Sequence, residues 1–273
     1  MMVTAIAIAA TLLIWFSSRF GWWLPAKPDN QPRILMYHMV SESPPGAKFR
    51  GLRVSPGLFR RQIAYMARTG WQFVTMNELM AFGDQLPARV AAITFDDGYR
   101  DNLTHALPVL KEFNAKATLY LVVDRQNRDW SVAKKAHHNS GELAREPKLT
   151  DEQVRELLAS GLIELGSHTL THPNLPASDA GQRWQEITQS KQTLERDFGV
   201  AVNSFAYPFG LYDPTDVELV KNAGYSNAVT VTQGVESQRL NRRFELSRVK
   251  ISGKEGMLGF RMRLRRGIRG VFS

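Results

Sequence analysis

Val90-Ala91-Ala92-Ile93-Thr94-Phe95-Asp96-Asp97-Gly98-Tyr99 is an apolar run of strand length that stops abruptly at two adjacent carboxylates and a glycine. Its length and the turn-prone residues that close it predict a buried strand emptying into a loop. The pattern repeats in both directions. Further strands are expected at 34–37, 72–75, 117–123, 163–166, 204–207, 226–231 and 246–251, and amphipathic helices at 56–69, 103–113, 151–160, 180–198 and 214–223. Strand and helix trade places almost throughout, the order of parallel strands joined by helices, so the expected fold class is α/β with a barrel. At 273 residues the chain can bury a substantial core in one such domain. The stretch 124–147 breaks the rhythm. It is polar, carries Arg125, Asn127, Asp129, His137, His138 and Asn139, and is read as a long functional loop over one barrel face.

In a parallel barrel, chemistry gathers where strands end and loops begin. The polar residues of interest fall at such places: His38 after the first strand, Asp96 and Asp97 after the third, His168 after the fifth, and Tyr207-Pro208-Phe209-Gly210 after the sixth. Neighbouring strand residues face opposite ways, but Gly98 lets the backbone turn, so both carboxylates can approach one small volume. Two anions there repel unless one is protonated or a cation binds. Ser167-His168-Thr169-Leu170-Thr171-His172-Pro173 supplies two imidazoles four residues apart. Pro173 biases His172 away from helical geometry, so a loop is expected, with Ser167, Thr169 and Thr171 free to orient the rings. Two histidines and one carboxylate bind a metal with a position open, and the second carboxylate is surplus. Each half alone has a bland reading, a turn or a helix cap for Asp-Asp-Gly and surface histidines for the pair; their combination suggests catalysis. Zero cysteine excludes thiolate sites and disulfides.

Thr-Phe-Asp-Asp-Gly followed by Ser-His-Thr-x-x-His-Pro resembles the first two motifs of the polysaccharide deacetylases, the NodB-homology or carbohydrate esterase family 4 enzymes, over roughly 34–251. The resemblance implies a distorted (β/α) barrel, here over 33–253, that removes N-acetyl groups from N-acetylglucosamine polymers with a divalent metal, usually zinc. It implies Asp97, His168 and His172 as metal ligands and Asp96 as general base. Tyr207-Pro208-Phe209-Gly210 resembles the third motif, with the Phe209 N–H as oxyanion donor. Tyr99, Tyr207, Pro208, Phe209 and Arg248 are set as the oxyanion and substrate-binding group. Two departures stand out. Ala206 occupies the place of an arginine that usually partners the base, and Leu246-Ser247-Arg248 replaces a Leu-x-His motif whose histidine is the general acid. Tyr37-His38 resembles the poly-β-1,6-N-acetylglucosamine branch, which makes His38 the candidate acid. Strand position suggests that Arg248 or Lys250 holds Asp96 instead.

The net charge of +9 does not read as a nucleic-acid footprint, because 254–273 alone holds six Lys/Arg against Glu255. There Met257, Phe260, Leu264, Ile268 and Val271 recur at helical spacing among arginines, either a basic helix lying on an anionic membrane or one whose stripe docks on the barrel. Residues 1–24 are apolar and tryptophan-tipped, expected as a transmembrane or signal-anchor helix, with 25–32 as linker. The family resemblance favours an inner-membrane protein with its domain on the periplasmic side. Arg19, Lys27 and Arg33 after the apolar stretch argue for the cytoplasmic face. The expected partner is an N-acetylated polysaccharide or a lipid-linked amino sugar. Rival readings are a deacylase of a polyprenyl-linked amino sugar, a non-haem iron oxygenase and a non-catalytic sugar-binding relic.

Overall fold

Eight parallel strands form in the order of the apolar runs: β1 Arg33–Tyr37, β2 Gln72–Val74, β3 Val90–Asp96, β4 Ala117–Leu121, β5 Ile163–Ser167, β6 Ser204–Ala206, β7 Asn227–Gln233 and β8 Leu246–Lys250. The computed structural model describes residues 2–83, 85–130, 140–237 and 240–271; His137, His138 and Asn139 of the long loop lie outside the described residues. Because β1 pairs with both β3 and β8, seven strands close into a barrel. β2 stays outside the ring, pairing with Val90, Ala91 and Ala92 on the edge of β3 that β4 takes further along. The barrel is distorted at the β5–β6 seam, where Ser167 opposite Phe205 is the one registered pair, and between β7 and β8, where the register shifts.

Strand alternation sorts the side chains into two populations. Leu35, Tyr37, Ile93, Phe95, Leu119 and Phe205 are buried in the layer between strands and helices. Ile34, Ala92, Tyr120, Ala206, Val229 and Leu246 form a narrower cluster inside the ring. Thr94 and Asp96 share the inward face with Ala92, so a carboxylate at the end of β3 points into the barrel mouth by pleat alone.

The connecting helices are α1 Met2–Phe20, α2 Pro56–Arg68, α3 Met76–Ala81, α4 Leu107–Glu112, α5 Glu142–Arg145, α6 Asp151–Ala159, α7 Ala180–Phe198, α8 Pro214–Asn222 and α9 Met257–Arg266. Their starts follow local chemistry. Ser55 caps α2 ahead of Pro56, and Thr75, Thr150 and Asp213 build capping boxes with Glu78, Gln153 and Asp216. The six-residue α3 was not expected, being too short to show a helical period. The helix expected at 103–113 opens instead with a π-turn over Asn102–Ala106. From that turn Asn102 Nδ2 donates to the His38 carbonyl at 2.9 Å and His105 Nδ1 meets the Val40 carbonyl at 2.8 Å, tying it to the exit of β1.

At the C-terminus the docked alternative holds: Phe260 and Leu264 are buried on the barrel, worth about 1.5–3 kcal/mol each. The helix is shorter than its stripe suggested. Gly267 at φ 84° ends it, so Ile268 and Val271 fall outside. The connector after α1 is not loose either. Arg33 donates to the carbonyls of Lys27, Pro28, Gln31 and Leu264 and so pins it to α9. Along α1 itself Ile6, Ile8, Leu12, Leu13, Ile14 and Trp15 are exposed. Among the described residues no helix is long and apolar enough to cross a membrane, so the structure does not bear out the membrane helix expected over 1–24.

Candidate active site

The turn after β3 is sharper than Gly98 alone explains. Asp97 itself adopts φ 79° and Gly98 φ 78°. A Cβ on Gly98 would stand 2.4 Å from Leu121 Cδ1, so only glycine fits. Thr169, His172 and Phe209 also hold positive φ, at 70°, 60° and 57°. Half of the eight described non-glycine residues with positive φ thus sit in this one mouth, a concentration of backbone strain typical of functional sites.

Asp97, His168 and His172 meet as expected, all buried. Asp97 Oδ1 lies 3.5 Å from Nε2 of each histidine, and the two Nε2 atoms are 3.1 Å apart. A tetrahedral ion with donors at about 2.0–2.1 Å keeps those donors about 3.3 Å apart, so the three atoms fit a zinc-sized cation. His168 Nδ1 lies 2.7 Å from the Ala206 carbonyl. A carbonyl only accepts, so Nδ1 carries the proton and Nε2 presents its lone pair to the site. Burial, reinforced by His168, pushes the His172 imidazole down to about 3, so it is neutral and able to ligate at ordinary pH. Burial works against the Asp97 carboxylate, but the His168, His38 and His172 rings outweigh it and hold the carboxyl well below its usual range. Ser167, Thr169 and Thr171 fix the loop rather than the rings. Ser167 bonds Ser190, Thr169 Oγ1 accepts the His172 N–H, and Thr171 donates to Glu186.

Asp96 has a different environment. Arg248 Nη1 and Nη2 donate to its Oδ1 and Oδ2 at 2.7 and 2.8 Å, a bidentate clamp with no solvent exposure on the arginine. Thr94 Oγ1 and the Thr230 carbonyl hold the guanidinium in turn. Burial alone would raise the Asp96 carboxyl, yet Arg248 overrides it and keeps the group below its usual range, hence ionised. Each oxygen retains a lone pair beyond the clamp. His38 Nε2 stands 4.0 Å from Asp96 Oδ2, and burial lowers its affinity for a proton despite both aspartates.

These groups floor a cleft of about 330 Å³, within the range of small-ligand sites. Its walls are largely apolar: Phe49, Leu52, Trp130, Leu143, Phe209 and Val231. The Trp130 ring lies 5.0 Å from that of His172, and Phe209 meets the same ring edge-on at 4.3 Å. Trp130 and Leu143 come from the described parts of the stretch 124–147, which reach this face as expected, Leu143 from the short helix α5. Nothing periodic marked either residue; a lone tryptophan in a polar loop was the signal available.

Three expectations need correction. Arg248 does not face substrate; it lies beneath Asp96, where the alternative guess from strand position had put it. Lys250 borders the cleft. Tyr99 is buried, its ring capped by the Lys148 ammonium at 4.5 Å, and it does not line the cleft. Tyr207 borders the cleft, but its hydroxyl donates to the Phe244 carbonyl and its ring stacks on Tyr212, leaving no side-chain donor for a ligand. Pro208 is buried at the head of a short turn, Pro208–Gly210, that presents Phe209.

Sequence comparison aligns residues 83–228 with the polysaccharide deacetylases. The chain belongs to the polysaccharide deacetylase family. The protein YxkH of Bacillus subtilis (strain 168), named for the same family, is 32% identical over 242 residues, covering 88% of this chain and 77% of its own. The poly-β-1,6-N-acetyl-D-glucosamine N-deacetylase of Escherichia coli (strain K12) is 26% identical over 76% of this chain, which spans only 35% of that protein. Among solved structures, the deacetylase PplD of Streptococcus pyogenes in complex with acetate superposes with a TM-score of 0.69 at 26% identity. It covers 84% of this deacetylase and 96% of its own chain. BA0330 of Bacillus anthracis gives the same TM-score at 27% identity, over 85% and 68%. Family membership sets aside the iron-oxygenase reading. The clamp from Arg248 supplies from β8 what Ala206 lacks on β6, which removes one of the two grounds for the relic reading, and family membership speaks against the other.

Proposed function

We propose that this deacetylase hydrolyses the N-acetyl groups of a cell-surface N-acetylglucosamine polymer, with β-1,6-linked chains as the preferred substrate and zinc as the metal. One observation carries the reading: a carboxylate locked in its ionised form by Arg248 stands next to a buried donor set of zinc-fitting dimensions. When bound, zinc supplies Lewis acidity at the scissile carbonyl and brings a water's pKa to about 7. The protein's own groups do the rest. Asp96 accepts the proton as water adds to the amide carbon. The Phe209 amide steadies the oxyanion. Asp96 passes that proton on through His38, whose Nε2 stands 4.0 Å from Oδ2, to the departing nitrogen, so acetate and a free amine leave. Tryptophan and leucine walls suit the C–H face of a pyranose ring. The exposed apolar side chains of α1 support attachment to the inner membrane, with the catalytic domain on its outer face.

The test incubates zinc-loaded protein with β-1,6- and β-1,4-linked N-acetylglucosamine oligomers and with a polyprenyl-phosphate-linked N-acetyl sugar, measuring acetate. Turnover confined to the β-1,6 series is expected, and turnover of the lipid-linked sugar alone overturns the polymer assignment. Asp97→Ala should abolish both acetate release and equimolar zinc uptake measured by atomic absorption. Zinc uptake surviving in that variant sinks the metal assignment.

A further inference from the structure

A second cleft of about 320 Å³ opens at the other end of the barrel. Its rim includes Arg33 at the start of β1, Trp71 just before β2 and Arg89 just before β3, so it lies at the strand N-termini, opposite the catalytic mouth. Lys27, Arg261 and Arg265 also line it, beside Tyr65 and Trp71. Arg266 lies next to Arg265, whose charge, after partial burial, lowers its hold on a proton. Among the described residues no carboxylate forms an ion pair with Lys27, Arg261, Arg265 or Arg266. Asp29, the acid on this rim, is taken by Arg89 at 2.8 Å. Elsewhere the deacetylase's arginines are mostly matched, as Arg53, Arg60, Arg183 and Arg263 show. Lys27, Arg261 and Arg265 thus form a group of cations without a carboxylate partner around this one rim.

That face also carries the apolar N-terminus. Arg265 Nη1 donates to the Trp22 carbonyl, the Lys27 N–H to the Arg265 carbonyl, and the Val271 N–H to the Ser18 carbonyl. The end of α1, the connector and α9 are thus knitted together, leaving Trp15, Trp22 and Trp23 more than half or about half exposed at 56%, 50% and 55%. Exposed apolar helix, interfacial tryptophans and unmatched cations in one place are the three marks of a surface made for anionic lipid. We infer that this face docks on an anionic phospholipid bilayer, α1 meeting its apolar layer and the cations of the second cleft meeting lipid phosphates, so that the catalytic mouth points away from the membrane.

This orientation bears on substrate choice, and there alone it rests on the proposed amino-sugar deacetylation. Six residue steps along β3 separate Val90 from Asp96, roughly 20 Å at about 3.3 Å each. A sugar joined directly to a polyprenyl phosphate stays within the headgroup layer, about 5–8 Å deep. It cannot reach a mouth on the far side of the barrel, whereas a polymer passing through the aqueous phase can. The orientation therefore selects the polymer over the lipid-linked sugar.

Full-length protein is titrated with phosphatidylcholine vesicles, with and without phosphatidylglycerol, and binding is read by flotation. Phosphatidylglycerol should tighten binding in a salt-sensitive way. Lys27→Gln/Arg261→Gln should lose roughly fivefold in affinity per cation removed, only on the anionic vesicles, with acetate release from soluble oligomers unchanged. Lys27→Ala alone, the gentler variant, should lose about fivefold. Equal affinity for both vesicle types, or no loss in either variant, refutes the docking face. Vesicle-bound enzyme should hydrolyse soluble oligomers at its free rate and leave a polyprenyl-linked sugar in the same vesicles untouched. Suppressed oligomer turnover, or turnover of the embedded sugar, refutes the orientation. Failure to release acetate from any substrate in the absence of vesicles counts against the proposed function instead, and leaves the binding result to stand on its own.

Discussion

Replacing Arg248 with methionine removes the single cation from a buried pair while keeping much of its volume. The guanidinium is fully buried and makes two charge-assisted bonds to Asp96 at 2.7 and 2.8 Å, with Thr94 and Thr230 as its further partners. Breaking such a pair from one side leaves an uncompensated carboxylate in the interior, at a cost of about 3–5 kcal/mol. For a chain this long each kcal/mol moves the melting temperature by about 2–4 °C, so a fall on the order of 10 °C is expected by calorimetry. With the arginine gone, burial dominates and the Asp96 carboxyl rises. The acid limb of the pH–activity profile then moves to higher pH, and kcat at neutral pH falls by at least about tenfold. The second variant isolates the cause. Asp96→Asn on the Arg248→Met background removes the stranded charge and should recover part of the lost stability, although activity stays lost. An unmoved acid limb in Arg248→Met, or no recovery in the double variant, refutes the claim that the arginine's task is to hold Asp96 ionised.

His38→Gln should lower kcat for acetamides by about 10²–10⁴-fold, yet leave an activated aryl acetate nearly unaffected, since that leaving group needs no proton; equal losses on both refute the acid role. Gly98→Ala places a methyl 2.4 Å from Leu121 Cδ1 at φ 78°, and should lower stability by about 2 kcal/mol or more, read as a shifted urea midpoint. Burial raises the Asp101 carboxyl to about 6, against the opposing influence of the nearby Val40 backbone and Ser41 hydroxyl. Its proton is therefore held more tightly in the folded than in the unfolded chain, so this stabilising contribution is full below about pH 4 and is lost as pH rises through 6. Asp101→Asn should flatten the wild-type stability curve between those values, by on the order of 3 kcal/mol; parallel curves for the two proteins refute it.

The buried Asp97, His168 and His172 group, which could hold a metal ion, was legible in the chain because each half of the set is contiguous. Asp97 follows a strand, and His168 and His172 share one loop, so local spacing placed them at the same end of the barrel before any tertiary contact was known. Strand order and most helices were legible for a similar reason, since a buried apolar run and an amphipathic period are properties of short windows. The partner of Asp96 was not. Arg248 lies 152 residues away, and only barrel closure, β8 on β1 and β1 on β3, carries its guanidinium under the carboxylate. From sequence it could equally have faced substrate. Trp130 was hidden because loops have no period, and Tyr99 was misjudged because its burial depends on Lys148, 49 positions further on. The C-terminal stripe had two partners available to it, lipid or barrel, and only the packed structure chose the barrel for Phe260 and Leu264 while turning Arg261 and Arg265 toward the opposite cleft. Sequence by itself determined which groups could bind a metal and where along the strands they emerge, since bonding capacity and pleat are local. Tertiary structure alone decided which charge holds Asp96 and which side chains line the mouth, because electrostatic pairing and packing act through space between segments the chain keeps far apart.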